Sequence, residues 1–349
     1  VSEEELTVTA PSLTGPVALP ALPPPTKPLV YAPWRSASAN NPPPSESFNE
    51  ALLRSVLSIQ SISHNDGRMR AYLTAMVKMI EPEAEVREDY GNLYVVKGDA
   101  DLYPAVVAHM DTVHSIVPDN QFTIYYLGDL LFAHNEVMNR HTGIGGDDKV
   151  GIFLALECLR LLPEIKIAFF RDEEVGCLGS RLADLSFFDD CCFVLQGDRR
   201  GNDDFVRRAS GIDLATKQFE EAVKPILDRH GFSPCSFGAS TDVVAMRSVG
   251  LELCVANVSC GYFNPHTSGE YVVMGDVERT LNLFLDLFDE LGGVAWPHPK
   301  PEPEPVKVVV HDNWKRKNWD AKGKDDAADG KWERALSLAR QSVAPGFCE

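Results

Sequence analysis

The sequence has no C-x-x-C pair, no run of eighteen or more apolar residues, and few basic residues for its acidic ones. Each shortage excludes something. The eight cysteines, Cys158, Cys177, Cys191, Cys192, Cys235, Cys254, Cys260 and Cys348, lie mostly in apolar runs such as Cys191-Cys192-Phe193-Val194-Leu195. That is the usage of small buried hydrophobes in a reducing compartment, not of a disulfide framework. Their spacing also argues against a cysteine-based structural zinc site. Without a long apolar run, no membrane-spanning helix is expected. The N-terminus, Val-Ser-Glu-Glu-Glu-Leu, lacks the basic region and apolar stretch of a secretory signal, so the expected location is cytoplasmic. Lys and Arg number 33 against 51 Asp and Glu, a net charge of −18. A phosphate-backbone binder needs clustered basic residues, so no nucleic-acid partner is expected. An acidic chain does suit the binding of cations.

What is present is enough for a sizeable core: 44% of the 349 residues are hydrophobic and 24% charged. Residues 1–45 hold eleven prolines and keep no helical or strand period, which predicts an extended or disordered tail. A second proline run, from Pro297 to Pro305, opens a C-terminal segment, 296–349, with a short strand expected over Val306 to Val310 and a helix over Lys331 to Gln341. Between them, residues 46–295 form one domain, without internal repeats. Apolar residues at three-to-four spacing predict helices over Phe48 to Ile62, Met69 to Ile80, Val150 to Leu162, Leu214 to Arg229 and Val277 to Leu291. Apolar runs predict strands at Leu93 to Val96, Ala105 to Ala108, Ile165 to Phe170, Cys192 to Leu195 and Leu251 to Val258. Alternating strands and helices with continuously apolar strands predict an α/β fold: a three-layer αβα sandwich around a mixed, largely parallel sheet. In such sheets functional groups collect where strands end.

Five groups of polar residues stand at those ends. His109-Met110-Asp111-Thr112-Val113 follows the strand at Ala105. A metal-bound imidazole commonly donates its second N–H to a carboxylate, so His109 is a candidate ligand and Asp111 its orienting partner. Gly145-Gly146-Asp147-Asp148-Lys149 opens a helix, where Asp serves as a cap or as a carboxylate able to bridge two cations. Asp172-Glu173-Glu174 ends a buried strand, and three carboxylates in a row repel each other unless cations compensate them. Asp198 stands just past another apolar strand, and His266 lies in the loop Gly261 to Glu270. Each group has a plain structural reading alone. Together they place two His and several carboxylates at the ends of successive α/β units, a nitrogen-and-oxygen donor set that suits zinc, with manganese or cobalt as alternatives.

The ordered set His-x-Asp-Thr-Val, Gly-x-Asp-Asp-Lys, Asp-Glu-Glu-x-Gly-x-x-Gly-Ser, Asp and Gly-Tyr-x-x-x-His resembles the co-catalytic zinc metallopeptidases of the peptidase T, glutamate carboxypeptidase and aminoacylase group. The resemblance spans roughly residues 46–295. It implies that two zinc ions are held: one by His109 and Asp198, the other by Glu174 and His266, with Asp147 bridging and the Asp147–Asp148 peptide cis. It implies that Asp111 orients His109 and that Glu173 is the general base acting on a water between the metals. The activity implied is exopeptidase cleavage of short peptides. The same metals would serve an N-acyl amino acid deacylase, and a degenerate scaffold is the reading from another class. One departure is large. Typical two-domain members carry a lid or dimerisation domain between the Asp198-type ligand and a Gly-Thr/Ser-Asp motif, whose counterpart here, Gly238-Ala239-Ser240-Thr241-Asp242, follows after only about forty residues.

Substrate contacts are therefore left to residues near that gap. Arg199 and Arg200 are either solvated loop charges or readers of a substrate carboxylate. Tyr262 is either a packed aromatic or a donor to an oxyanion, and Thr241 is set beside them. His114, His134 and His141 match no motif position and are expected to be exposed or hydrogen-bonding. His298 and His311 are expected to be solvated. The tails are expected to replace the lid and point to assembly into a homo-oligomer or something larger.

Overall fold

A computed structural model of the chain describes residues 44–45 and 47–299. The expectations for the N-terminal tail, for the strand at 306–310 and for the helix at 331–341 fall outside the described residues, as does any part the tails play as a lid.

Seven α-helices, two short 3-10 turns (Asp119–Gln121 and Leu185–Phe188) and fifteen strands make up the described chain. The chain opens with α1 (Glu50–Ser58), α2 (Gly67–Ile80), β1 (Glu85–Asp89), β2 (Asn92–Lys97) and β3 (Tyr103–His109). Then come β4 (Phe122–Leu127), β5 (Leu130–Asn135), β6 (Arg140–Thr142), α3 (Gly146–Leu161), β7 (Ile165–Phe170), α4 (Leu178–Arg181) and β8 (Cys191–Arg199). The last part holds β9 (Asp204–Val206), β10 (Arg208–Ala209), β11 (Ile212–Asp213), α5 (Lys217–His230), β12 (Ser233–Cys235), α6 (Asp242–Val249), β13 (Val255–Ser259), β14 (Tyr262–Phe263), β15 (Tyr271–Val273) and α7 (Met274–Leu291).

The main sheet runs β1-β2-β7-β3-β8-β13-β9-β12. Its four central strands, β7, β3, β8 and β13, are mutually parallel; β2 on one side and β9 on the other run antiparallel to them, with β1 antiparallel to β2 and β12 parallel to β9. Alternate residues of each strand enter opposite cores. Val106 and Ala108 of β3 join Ile165, Ile167 and Phe169 of β7 under α1, α2, α3, α5 and α7. Ala105, Val107, Ala168 and Phe170 face the other way, against Val243, Val244 and Met246 of α6. Both faces are covered, which is why these strands read as continuous apolar runs rather than as alternations. The result is the expected three-layer α/β sandwich.

Local chemistry sets the helix ends. Asn49 caps α1 by accepting the Leu52 N–H at 3.2 Å, and Thr216 caps α5 by accepting that of Phe219 at 3.2 Å. Both helices start later than apolar spacing alone implies, because residues 48 and 214–215 pack against the core without being helical.

Elements not anticipated fill two gaps. The interval from His109 to Asp147 forms β4, β5 and β6, which with β14 and β15 make a second, antiparallel sheet. The interval from Asp198 to Thr241 forms β9 to β12 and α5, and no separate lid domain stands there among the described residues. Past residue 295 the chain lies along Leu251 to Cys254: Trp296 N–H donates to Cys192 O at 2.8 Å, and Pro297 bridges Leu253. His298 differs from the solvated side chain expected. Arg247 donates to its Nδ1 at 2.9 Å and to its carbonyl at 2.6 Å. The seven described cysteines are free thiols, and six are buried. No helix among the described residues is long and apolar enough to cross a membrane.

Candidate metal centre and active site

The carboxyl ends of the four parallel strands converge on one cleft. His109 is the last residue of β3, Asp172 to Glu174 follow β7, Asp198 lies near the end of β8, and the His266 loop follows β13 and β14. Asp147 enters from the first turn of α3, and the Asp147–Asp148 peptide bond is cis. Gly145 makes that entry possible. Its φ is +71°, and a Cβ there would press on Lys149 and Thr112.

Asp147 stands at the middle. Its Oδ1 lies 3.2 Å from His109 Nε2, and its Oδ2 lies 3.3 Å from His266 Nε2. Asp198 Oδ1 is 3.7 Å from His109 Nε2, and Glu174 Oε2 is 3.1 Å from His266 Nε2. Two triads result, His109–Asp147–Asp198 and Asp147–Glu174–His266, each with donor atoms close enough for one ion. The five residues read from the sequence as metal ligands are thus brought together. Glu173 Oε2 lies 3.9 Å from His109 Nε2 without belonging to either triad.

The donor set fits a pair of divalent cations. It is all imidazole nitrogen and carboxylate oxygen. Glu174 Oε1 is buried and accepts no hydrogen bond, an orphan a cation would satisfy. Burial pushes the Glu173 carboxyl up to about 8 and that of Glu174 up to about 7, and it raises Asp198 well above the carboxylate range. Burial opposes a charged His109, yet hydrogen bonds to Asp111, Asp147 and Asp198 hold its imidazole well above the usual value. So many acids crowded together resist ionisation until positive charge arrives.

Surrounding groups orient these side chains. His109 Nδ1 meets the Asp111 carbonyl at 2.9 Å and the Asp111 carboxylate at 3.6 Å. Asp148 accepts the backbone N–H of His109 at 3.0 Å and that of Gly151 at 3.1 Å, so it tethers β3 while capping α3. Asn257 on β13 exchanges two bonds with the Asp198 backbone, at 3.0 and 2.7 Å. Asp172, the first of the three consecutive acids, takes no part in either triad: Arg171 and the His64 N–H hold it.

The substrate-binding candidates all line the cleft, a volume of about 630 Å³. Their surroundings differ. Arg199 is bound to Asp204 at 2.8 and 3.0 Å, whereas Arg200 is exposed and has no ion-pair partner among the described residues. Tyr262 is buried, and its hydroxyl donates to Asp198 Oδ1 at 3.3 Å. Thr241 Oγ1 is buried without a partner.

The sequence gives no role to Asp242 or Glu270, and it leaves open which residue His114 hydrogen-bonds. Asp242 is fully buried behind the site, accepts from Gln196 at 3.2 Å and is pushed by burial up to about 6. His114 donates to the buried Glu270 at 2.7 Å. Their partners lie 46 and 156 residues away, so no local pattern exposes them.

No protein-family model and no curated protein matches the sequence. Solved structures do. The chain is similar to aminopeptidase PepT from Bacillus cereus ATCC 10987, at 15% identity and a TM-score of 0.55, over 70% of this chain and 99% of that one. It shares the fold of these peptidases. A tripeptidase from Staphylococcus aureus subsp. aureus Mu50 matches at 14% identity and 0.55, over 70% and 99% of the two chains. An aminopeptidase from the archaeon Desulfurococcus kamchatkensis matches at 14% identity and 0.51, over 68% and 93%. At these identities the likeness is one of fold.

Proposed function

We propose that the protein is a di-zinc exopeptidase acting on short peptides. The observation that carries the reading is the pair of triads sharing Asp147, each of its two oxygens turned to a different imidazole. His109 and Asp198 would hold one ion, Glu174 and His266 the other, and Asp147 would bridge them. Two such cations, when bound, lower the pKa of a water towards about 7 and polarise a carbonyl oxygen.

The chain's own residues do the rest. Glu173, whose Oε2 lies 3.9 Å from His109 Nε2, ionises once bound cations offset the crowding of acids, and it accepts the water's proton. It then returns that proton to the departing amine, so that one amide bond is cleaved. Asp111 keeps His109 in the tautomer that leaves Nε2 free. Arg200, the cleft arginine without an acidic partner, meets the free carboxylate of a short substrate. The structures of similar fold, an aminopeptidase and a tripeptidase, agree with this substrate class.

The test is a profile of the amino acids released from di- and tripeptides and from N-acyl amino acids, with zinc, cobalt or manganese added. Turnover of peptides above N-acyl amino acids supports the reading. The reverse preference makes the protein a deacylase, and no release with any metal removes the enzymatic reading.

A further inference from the structure

Glu270 is a charged residue with 1% of its surface exposed, four residues beyond His266 and outside both triads. Its carboxylate is fully engaged. Oε2 accepts from His114 Nε2 at 2.7 Å and from the Gly145 N–H at 2.7 Å, and Oε1 accepts the Asp147 N–H at 3.1 Å. The groups it joins come from three segments. His114 lies five residues after His109, on the chain leaving β3. Gly145 and Asp147 form the turn that opens α3. Glu270 itself closes the loop that carries His266.

The surroundings are built around this carboxylate. A Cβ on Gly143 would fall inside the His114 ring, and one on Gly146 would press on Tyr262 and Val272 beside Glu270. His114 is further anchored through its backbone, which donates to Thr112 Oγ1 at 3.3 Å, while that hydroxyl donates to Ser61 O at 2.7 Å. Lys149, buried two residues after Asp147, supplies compensating charge, and its Nζ donates to Leu57 O and Ile144 O, both at 3.2 Å. A buried carboxylate is tolerated where cations and N–H donors meet it from several sides. Here those donors are the turn that carries Asp147 and the segment leading from His109, while the carboxylate itself sits on the loop of His266.

We propose that Glu270 is the positioning residue of the metal centre: it locks the Asp147 turn to the His266 loop and to the segment after His109, so that the two triads share one bridging carboxylate. The inference rests on the reading of Asp147 and His266 as metal ligands. Glu270 touches neither substrate nor metal, and acts through the N–H of Asp147. Groups that orient metal ligands typically change metal affinity by about 10–100-fold when replaced.

The test is zinc affinity, measured by chelator competition on the full chain, beside the thermal midpoint of the metal-free protein. Glu270→Gln puts an amide where one N–H donor now points, and His114→Phe removes the side-chain donor. Both are expected to weaken zinc binding by about 10–100-fold. His114→Gln, which keeps an N–H at a similar reach, is expected to stay near the wild-type affinity. If Glu270→Gln does not fold, the contrast between His114→Phe and His114→Gln decides. Wild-type zinc affinity in Glu270→Gln or His114→Phe, with only the midpoint lowered, would make Glu270 a brace of the fold and overturn the inference while leaving the proposed function standing. A wild-type protein that takes up no zinc would overturn both.

Discussion

Asp111 holds Glu173 by its backbone: the Glu173 N–H donates to Asp111 Oδ1 at 2.9 Å. The same carboxylate accepts from Ser63 Oγ at 2.7 Å and stands 3.6 Å from His109 Nδ1. Burial works against a charged Asp111, but its contacts with His109, Ser63 and Glu173 win and draw its carboxyl down to about 2. One anion thus sets both the imidazole at the end of β3 and the turn that presents the proposed base. Replacing Asp111 by Asn is expected to lower both zinc affinity and turnover by about 10–100-fold. A variant that keeps both would show that His109 and the turn are set by other contacts.

Glu173 and Glu174 are neighbours with different proposed duties, and their substitutions separate them. Glu173→Gln is expected to keep its zinc while turnover falls by at least about 100-fold, the low end for general-base catalysis. Glu174→Gln is expected to lose one of two zinc ions. Metal content per chain, measured beside the rate, checks both. Equal metal loss in the two variants with activity retained would reverse the assignment.

Arg200 tests the substrate class. Its replacement by Ala is expected to raise KM about tenfold for peptides with a free C-terminal carboxylate, and to leave KM for the same peptides amidated unchanged. Equal effects on the two series would remove Arg200 from substrate recognition.

The segment past residue 295 gives a prediction about pH. Burial, then the charge of Arg247, draws the His298 imidazole below its ordinary value. The unfolded chain therefore binds this proton more readily than the folded one. The contribution of His298 is present above the unfolded value of about 6.5 and is lost as pH falls below it. Chemical denaturation at several pH values between 5 and 8 is expected to show a shallower acid loss in His298→Gln than in the wild type. Parallel curves would contradict the shift.

Much of this fold and site is legible in the sequence, and the reasons are physical. β7, from Ile165 to Phe170, lies between two cores, so its apolar run has one reading. His109, Glu174 and Asp198 sit at the ends of such strands, Asp147 opens α3 and His266 follows β14, and short motifs carry all five. β4 to β6 stayed hidden because their sheet has one covered face and polar residues such as His134 and Asn135 break the alternation. α6 stayed hidden because it is only eight residues long. Asp242 and Glu270 carry no local signal, and His114 is expected to hydrogen-bond without its partner being legible, because each matters through a residue from a distant segment. Arg199 and Arg200 looked alike as a pair, and only Asp204 tells them apart.

The central claim is that the two triads hold a pair of zinc ions on either side of Asp147. Anomalous scattering measured at the zinc edge from crystals of the zinc-loaded protein tests it most directly. The account predicts two peaks about 3.5–4 Å apart, one between His109 and Asp198 and one between Glu174 and His266. A single peak, or peaks away from Asp147, would contradict it.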